Sequence, residues 1–227
     1  MPPRARIYLH CIVGTGIFLF VDALTQFEPK DVRRFVAYLA LALVSATWKF
    51  KVPGIPATFS AGFAFVLIGI ANFSMGEAMV IGCASIVVQS LWRSTQKWPV
   101  RKTSFNVAAV AFSITLAYNP AHFELASGLQ NAPAMLPLAA VLYFLLNTGL
   151  VSGMVALTEE AEFRSVWWRL AGYGLAYYVA GGIVATAIIV ANRLWGWQVG
   201  LFILPFLYLT YCGYRAYLRS RGVLTQA

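Results

Sequence analysis

The sequence predicts an all-α fold: a polytopic transmembrane helical bundle of about eight segments, with seven as the alternative count and both termini cytoplasmic. Three observations predict it. Hydrophobic residues fill 60% of the 227 positions and charged residues only 11%, against about 25% charged in a soluble domain. So little polar side chain cannot cover a water-soluble globule. The apolar residues gather into eight runs separated by short polar or basic stretches. The basic residues then sort by loop, as cytoplasmic loops of membrane proteins demand.

Taken in order, residues 1–6 form a short basic start and 7–24 the first apolar run. Arg4 and Arg6 in front give it the look of a signal peptide, but no small-x-small cleavage site follows and Asp22 interrupts its place, so it is kept as a span. Residues 35–48 are the second run, shorter than the roughly 17–25 residues of a straight span and therefore tilted, buried or re-entrant. Pro53 and Pro56 flank Gly54 and stop any helix there. The third run, 57–73, is read as a span. The tight connection 74–76 makes it an antiparallel neighbour of the fourth, 77–92.

The stretch QSLWRSTQKWPVRKTSFN, 89–106, carries Arg93, Lys97, Arg101 and Lys102 with no acidic residue among them. Translocating such a loop is costly, so 92–103 is read as a cytoplasmic basic loop with Trp92 and Trp98 at headgroup depth. Residues 104–118 are the fifth run. A polar loop, 119–133, follows, with Glu124 as its one charged side chain. The sixth run is 134–157, the seventh 166–191 and the last 197–214, before a cytoplasmic tail at 215–227. The whole of 1–227 reads as one integral membrane domain.

If all eight runs cross, Arg4, Arg6, Lys49, Lys51, the four loop residues, Arg164, Arg169, Arg215, Arg219 and Arg221 share one side. Only Lys30, Arg33, Arg34 and Arg193 take the other. If the second run does not cross, the division becomes fourteen to three and the N-terminus moves outside. Either way the loop at 92–103 and the C-terminus face the cytoplasm of a bacterial inner membrane. The net charge of +9 is thus a matter of topology, not a nucleic-acid surface, because the cations are spread between apolar runs. Cys11, Cys83 and Cys212 lie in apolar runs without pairing or metal spacing and read as small hydrophobes.

Polar side chains inside hydrocarbon need a reason to be there. His10, Asp22, Asn72, Glu77, Gln89, Asn106 and Asn147 are the candidates. Asn147, mid-run in YFLLNTGLVSG, has two readings. One is an interhelical hydrogen bond, with Gly149 and Gly153 letting a neighbouring helix approach. The other is a polar cavity of Asn147, Asn106 and Gln89 that binds a small ligand, with Glu77 at its mouth. Glu77 and Asp22 sit near run ends, where solvation at the interface accounts for them. His122 and Glu124 have no second histidine nearby, so no metal site is expected, and no cofactor either. No phosphate loop, zinc helix or nucleophile elbow occurs. In the last run Tyr208, Tyr211, Tyr214 and Tyr217 recur every third residue beside Arg215. They read as anchors of the helix end or as a rigid output rod carrying movement out of the bilayer.

Several stretches, KVPGIPATFSAGFAFVLIGI, VVQSLWR, SFNVAAVAFS, YFLLNTGLVSGMVALTE, VWWR and LPFLYLTYCGYRAYL, together resemble a bacterial sensory membrane region. It is the multi-span part found ahead of HD-GYP cyclic-di-GMP phosphodiesterase and GGDEF diguanylate cyclase domains. The resemblance covers about 51–218 and implies a bundle that senses a signal and passes it through its last helix to a cytoplasmic effector. The residues after Leu218 hold neither an HD dyad nor a GGDEF-like turn, so the chain is expected to be either truncated from a longer protein or a stand-alone relative acting through a partner. The expected function is therefore a non-enzymatic sensory module. Its partners would be the lipid bilayer, a cytoplasmic effector domain or protein, an unknown small ligand and a second copy in a homodimer. The alternative is a small-molecule binding or transport protein similar to the membrane-embedded binding subunit of a vitamin uptake system, on the strength of short, Pro-flanked runs. An intramembrane enzyme acting on lipid is a third reading.

Overall fold

A computed structural model describes residues 1–51, 58–92, 99–122 and 132–220. Helix α1 spans Pro3–Thr25, α2 Val32–Ala46, α3 Phe63–Asn72 and α4 Met75–Leu91. The longer α5 (Pro99–His122), α6 (Ala132–Glu159) and α7 (Phe163–Trp195) follow, then a 3-10 turn over Trp197–Phe202 and α8 (Ile203–Ser220). Between α2 and α3 lie two short antiparallel strands, β1 (Lys49–Lys51) and β2 (Thr58–Ser60), with Phe50 opposite Phe59. Among the described residues four stretches are long and apolar enough to cross a bilayer: Pro3–Thr25, Leu136–Glu159, Gly174–Trp195 and Trp197–Tyr217.

The third apolar run departs from its expected single helix. Its first residues form β2, and the helix begins only at Phe63, after Gly62. Thr58-Phe59-Ser60 has the β-branched and aromatic character that suits an extended ladder, and pairing with β1 satisfies its backbone groups. The resulting α3 has 10 residues, about 15 Å, half the depth of a hydrocarbon core. Every residue from Phe63 to Ile70 is buried. A helix apolar on all sides belongs in the middle of a bundle, and α2, α4, α5, α6 and α7 all pack on this one. The short second run is likewise confined to the 15 residues of α2.

Only Phe73 and Ser74 separate α3 from α4. Ser74 caps α4: its hydroxyl accepts the Glu77 N–H, while the Glu77 carboxylate accepts the Ser74 N–H at 2.9 Å and its hydroxyl at 2.8 Å. This reciprocal box satisfies donors that the first turn would leave bare. Gly76 lets the corner dock, since a Cβ there would come within 2.7 Å of the Ala23 carbonyl and the Phe27 backbone.

Contacts between distant residues show which connections share an end. The Glu28 N–H donates to Ser74 Oγ (3.4 Å) and the Tyr118 hydroxyl to the Phe73 carbonyl (3.1 Å). The α1–α2 link, the α3–α4 link and the C-terminal part of α5 therefore lie together. At the opposite end the Lys49 ammonium donates to the Trp92 carbonyl, joining β1 to the end of α4. The exterior of α1, α7 and α8 is apolar, with Ile17, Phe18, Ile183, Leu194, Phe206 and Leu209 exposed.

Two expected segments are partly helical. Of the loop read at 92–103, Trp92 ends α4 and 99–103 already belong to α5, which opens on Pro99 as proline-led helices do; Arg93, Lys97 and Trp98 lie outside the described residues. The tail read from 215 stays helical through Ser220, and Arg221 lies outside the described residues.

Candidate functional site

Polar groups in the middle of the bundle line up from α4 to α6. Near the end of α4, Gln89 Oε1 accepts the Ser60 hydroxyl at 2.8 Å. The Ser60 carbonyl accepts the Tyr177 hydroxyl at 2.7 Å. The next residue on α7, Tyr178, accepts the Asn147 amide of α6 at 2.7 Å. Neighbouring positions on a helix point about 100° apart, so this tyrosine pair reaches β2 with one ring and α6 with the other. Phe63, at the start of α3, fills the angle between them: its ring centre lies 4.7 Å from Tyr178, 5.5 Å from Tyr177 and 5.0 Å from Tyr143. Phe144 closes the group at 5.0 Å from Tyr178. Phenols buried in apolar surroundings require hydrogen-bond partners, and Ser60 and Asn147 provide them.

Of the four residues read as ligand-binding, the structure brings Gln89 and Asn147 into this one chain, joined through Ser60 and the tyrosine pair. Asn106 is half-buried on α5, and among the described residues no hydrogen bond ties it to the chain. Glu77 is elsewhere. It is buried, 2% exposed, and engaged in its cap instead of being solvated at an interface. It sits twelve residues, about 18 Å, from Gln89 along α4, too far to be the mouth of the same hollow. The glycine pair also divides. A Cβ at Gly153 would lie 2.9 Å from the Tyr8 hydroxyl, so Gly153 is where α1 meets α6, and Tyr8 donates to the Leu150 carbonyl beside it (3.2 Å). At Gly149 an added Cβ would meet none of the described atoms within 4 Å, so no close helix approach is seen there. Of the histidine–carboxylate pair, Glu124 lies outside the described residues.

The last helix is attached mainly through α2. From the middle of α2 the Tyr38 hydroxyl donates to the Trp197 carbonyl at 3.3 Å and accepts from the Asn192 amide. Past its end, Trp48 stacks on Tyr211 (6.3 Å, 19° between planes) and meets Tyr208 at 5.4 Å. Arg215 lies over the Tyr211 ring at 5.8 Å. Tyr214 is half-buried and Tyr217 exposed. Little else covers this helix: only 6% of the Trp197–Tyr217 span is buried.

At the end bearing β1, burial lowers the pKa of the Lys49 ammonium, and the positive charge of Lys102 lowers it further. Both effects disfavour a second cation in a confined place.

Sequence reasoning missed Tyr38, Tyr143, Tyr177, Tyr178 and Ser60. The available signal was tyrosine in mid-run, away from the interfacial belts where it usually gathers.

No curated protein and no solved structure matches the chain. The family model MASE9 does match, over residues 20–216, from the end of α1 to α8. That stretch holds both the hydrogen-bonded tyrosine centre and the aromatic seat of the last helix, and the chain belongs to the MASE9 family of membrane-associated sensory domains.

Proposed function

We propose that the chain is a multi-pass sensory module of the bacterial inner membrane that passes a change in its bundle through α8 to a cytoplasmic effector domain or partner protein. The observation that carries this reading is the attachment of α8. The last span is held at two places, by Tyr38 of α2 on Trp197 in the turn that leads into α8 and by Trp48, just past α2, on Tyr208 and Tyr211 midway along α8, while most of its described surface is exposed. A helix held at two points moves as a rod when its holder shifts, and a displacement of 1–2 Å is the usual scale of such signals.

Family membership supports the sensory role. The sorting of basic residues in the sequence, thirteen to one side if all eight runs cross, supports cytoplasmic placement of the end with the Lys49–Trp92 contact and of the exit of α8. The effector is expected to be a cyclic-di-GMP enzyme or another cytoplasmic protein, and the module itself is expected to carry no catalytic activity.

The test is a fusion of α8 to a diguanylate cyclase reporter in intact cells. Trp48→Ala and Tyr211→Ala are expected to change reporter output severalfold at equal membrane abundance. Unchanged output in both variants, and in Tyr38→Phe, overturns the reading.

A further inference from the structure

We infer that the end of the bundle opposite the Lys49–Trp92 contact carries a binding site for a small organic oxyanion, seated between the start of α2 and the α7–α8 link. The inference rests on the sensory reading and names the chemistry of its input.

A depression of about 600 Å³ opens there, lined by Lys30, Asp31, Val32 and Arg33 on one wall and Trp197 and Gln198 on the other. That volume falls in the range of small-molecule sites, about 300–1,000 Å³, and exceeds what a bare inorganic ion fills. The side of the chain that carries few cations thus concentrates them: Lys30 and Arg33 form the rim, Arg34 follows them on α2, and Arg193 lies in the last turn of α7. Basic residues on the translocated side run against the general bias, and two of the four, Lys30 and Arg33, line this one depression.

Local charges there do not cancel. Asp31 is engaged as the cap of α2, its Oδ1 accepting the Arg34 N–H at 3.1 Å. Arg34 is turned to the Phe73 ring, 5.1 Å from its centre. Among the described residues neither Lys30 nor Arg33 has an ion pair, and the first turn of α2 holds no acidic residue. The Asp31 carboxylate at that helix end offsets only one of the two rim cations, so the depression keeps a net positive charge that an anion between Lys30 and Arg33 would offset. Trp197 supplies an indole for a planar apolar body and Gln198 an amide for a further hydrogen bond. The ligand class is therefore a carboxylate or phosphate ester with a flat apolar part, delivered either as a solute or as a lipid headgroup. Its position has a mechanical consequence. The two walls are the two elements that Tyr38 already joins through the Trp197 carbonyl, so an occupant draws α2 toward the start of the last helix.

Phenyl phosphate is the probe, titrated into the full chain in phosphatidylcholine nanodiscs with binding read by calorimetry. Saturable binding is expected, weakened about tenfold by Lys30→Gln or Arg33→Gln and further by both, as loss of a charge-assisted contact implies. Trp197→Leu is expected to weaken it as well, whereas Arg164→Gln at the other end leaves it unchanged. Both Lys30 and Arg33 are exposed, so these charge removals leave folding intact, checked by unchanged melting. In nanodiscs containing phosphatidylglycerol, competition that depends on Lys30 and Arg33 assigns the site to a headgroup, and undiminished binding assigns it to a solute. Absence of saturable binding in phosphatidylcholine together with no Lys30- or Arg33-dependent retention of phosphatidylglycerol overturns the proposal. Binding insensitive to both charge removals overturns it equally. Neither result touches the reporter fusion, which tests the output helix without any ligand.

Discussion

Tyr178 and Asn147 show how much a single hydrogen bond can be asked to hold inside an apolar bundle. Removing the phenol oxygen in Tyr178→Phe leaves the Asn147 amide without that partner (2.7 Å in the native chain). Interhelical bonds of this kind contribute roughly 0.6 kcal/mol on average in membranes, and a stranded buried donor costs about 1–3 kcal/mol. Tyr178→Phe is therefore expected to destabilise the bundle by about 1 kcal/mol in a detergent unfolding assay. The double variant with Asn147→Leu should recover part of that loss, because no donor is then stranded. Strict additivity of the two single changes would show that the bond contributes nothing.

At the other titrating position the sign follows from charge alone. Lys102 disfavours the Lys49 ammonium, so Lys102→Met raises the Lys49 pKa toward its ordinary value. Lys49 is then expected to need a higher pH to become reactive toward an amine acylating reagent, as read by peptide mass spectrometry. An unchanged pH profile would remove the electrostatic contact between β1 and α5.

Among elements, α1 against α6 and the α3–α4 corner are two of the contacts that depend on small residues. Gly153→Val would drive a branched side chain into Tyr8, whose hydroxyl sits 2.9 Å and whose ring 3.2 Å from the Cβ position. Overpacking of this kind costs about 1–3 kcal/mol, and Tyr8→Ala in the same chain is expected to restore much of the lost melting temperature. No rescue would mean that the strain lies elsewhere.

Element boundaries were largely legible from hydropathy, because lipid-facing helices announce themselves as apolar runs. The run at 134–157 became α6 (Ala132–Glu159) and that at 7–24 became α1 (Pro3–Thr25). What hydropathy cannot separate is a strand from a helix inside one unbroken apolar stretch, and so β2 was absorbed into the third run. Glu77 illustrates a different loss. Ser74-Met75-Gly76-Glu77 has the spacing of a capping box, but reading the carboxylate by its place near a run end concealed it. The site was half legible. Gln89 and Asn147 stood out as polar residues among apolar ones, whereas Tyr177 and Tyr178 blended with their surroundings because aromatic bulk passes for ordinary core.

Taken as a whole, the protein is a bundle turned outward: apolar side chains cover the outside of α1, α7 and α8, and a tyrosine-rich centre holds the inside. Residues far apart in the chain meet at the two ends of the bundle. Lys49 meets Trp92 at one end and Glu28 meets Ser74 at the other.

The brevity of α3 governs how such a chain is made. Ten residues cannot bridge the bilayer, and the two-residue corner ties them to the 17 of α4. The biosynthetic machinery must therefore release the pair into lipid as one hairpin, after the ribosome has synthesised both. A nascent chain arrested just beyond Asn72 is expected to leave that stretch extractable by alkaline carbonate when α1 and α2 are deleted, and one arrested well past Trp92 to resist extraction. Resistance of the shorter arrested chain would mean that this small helix partitions alone.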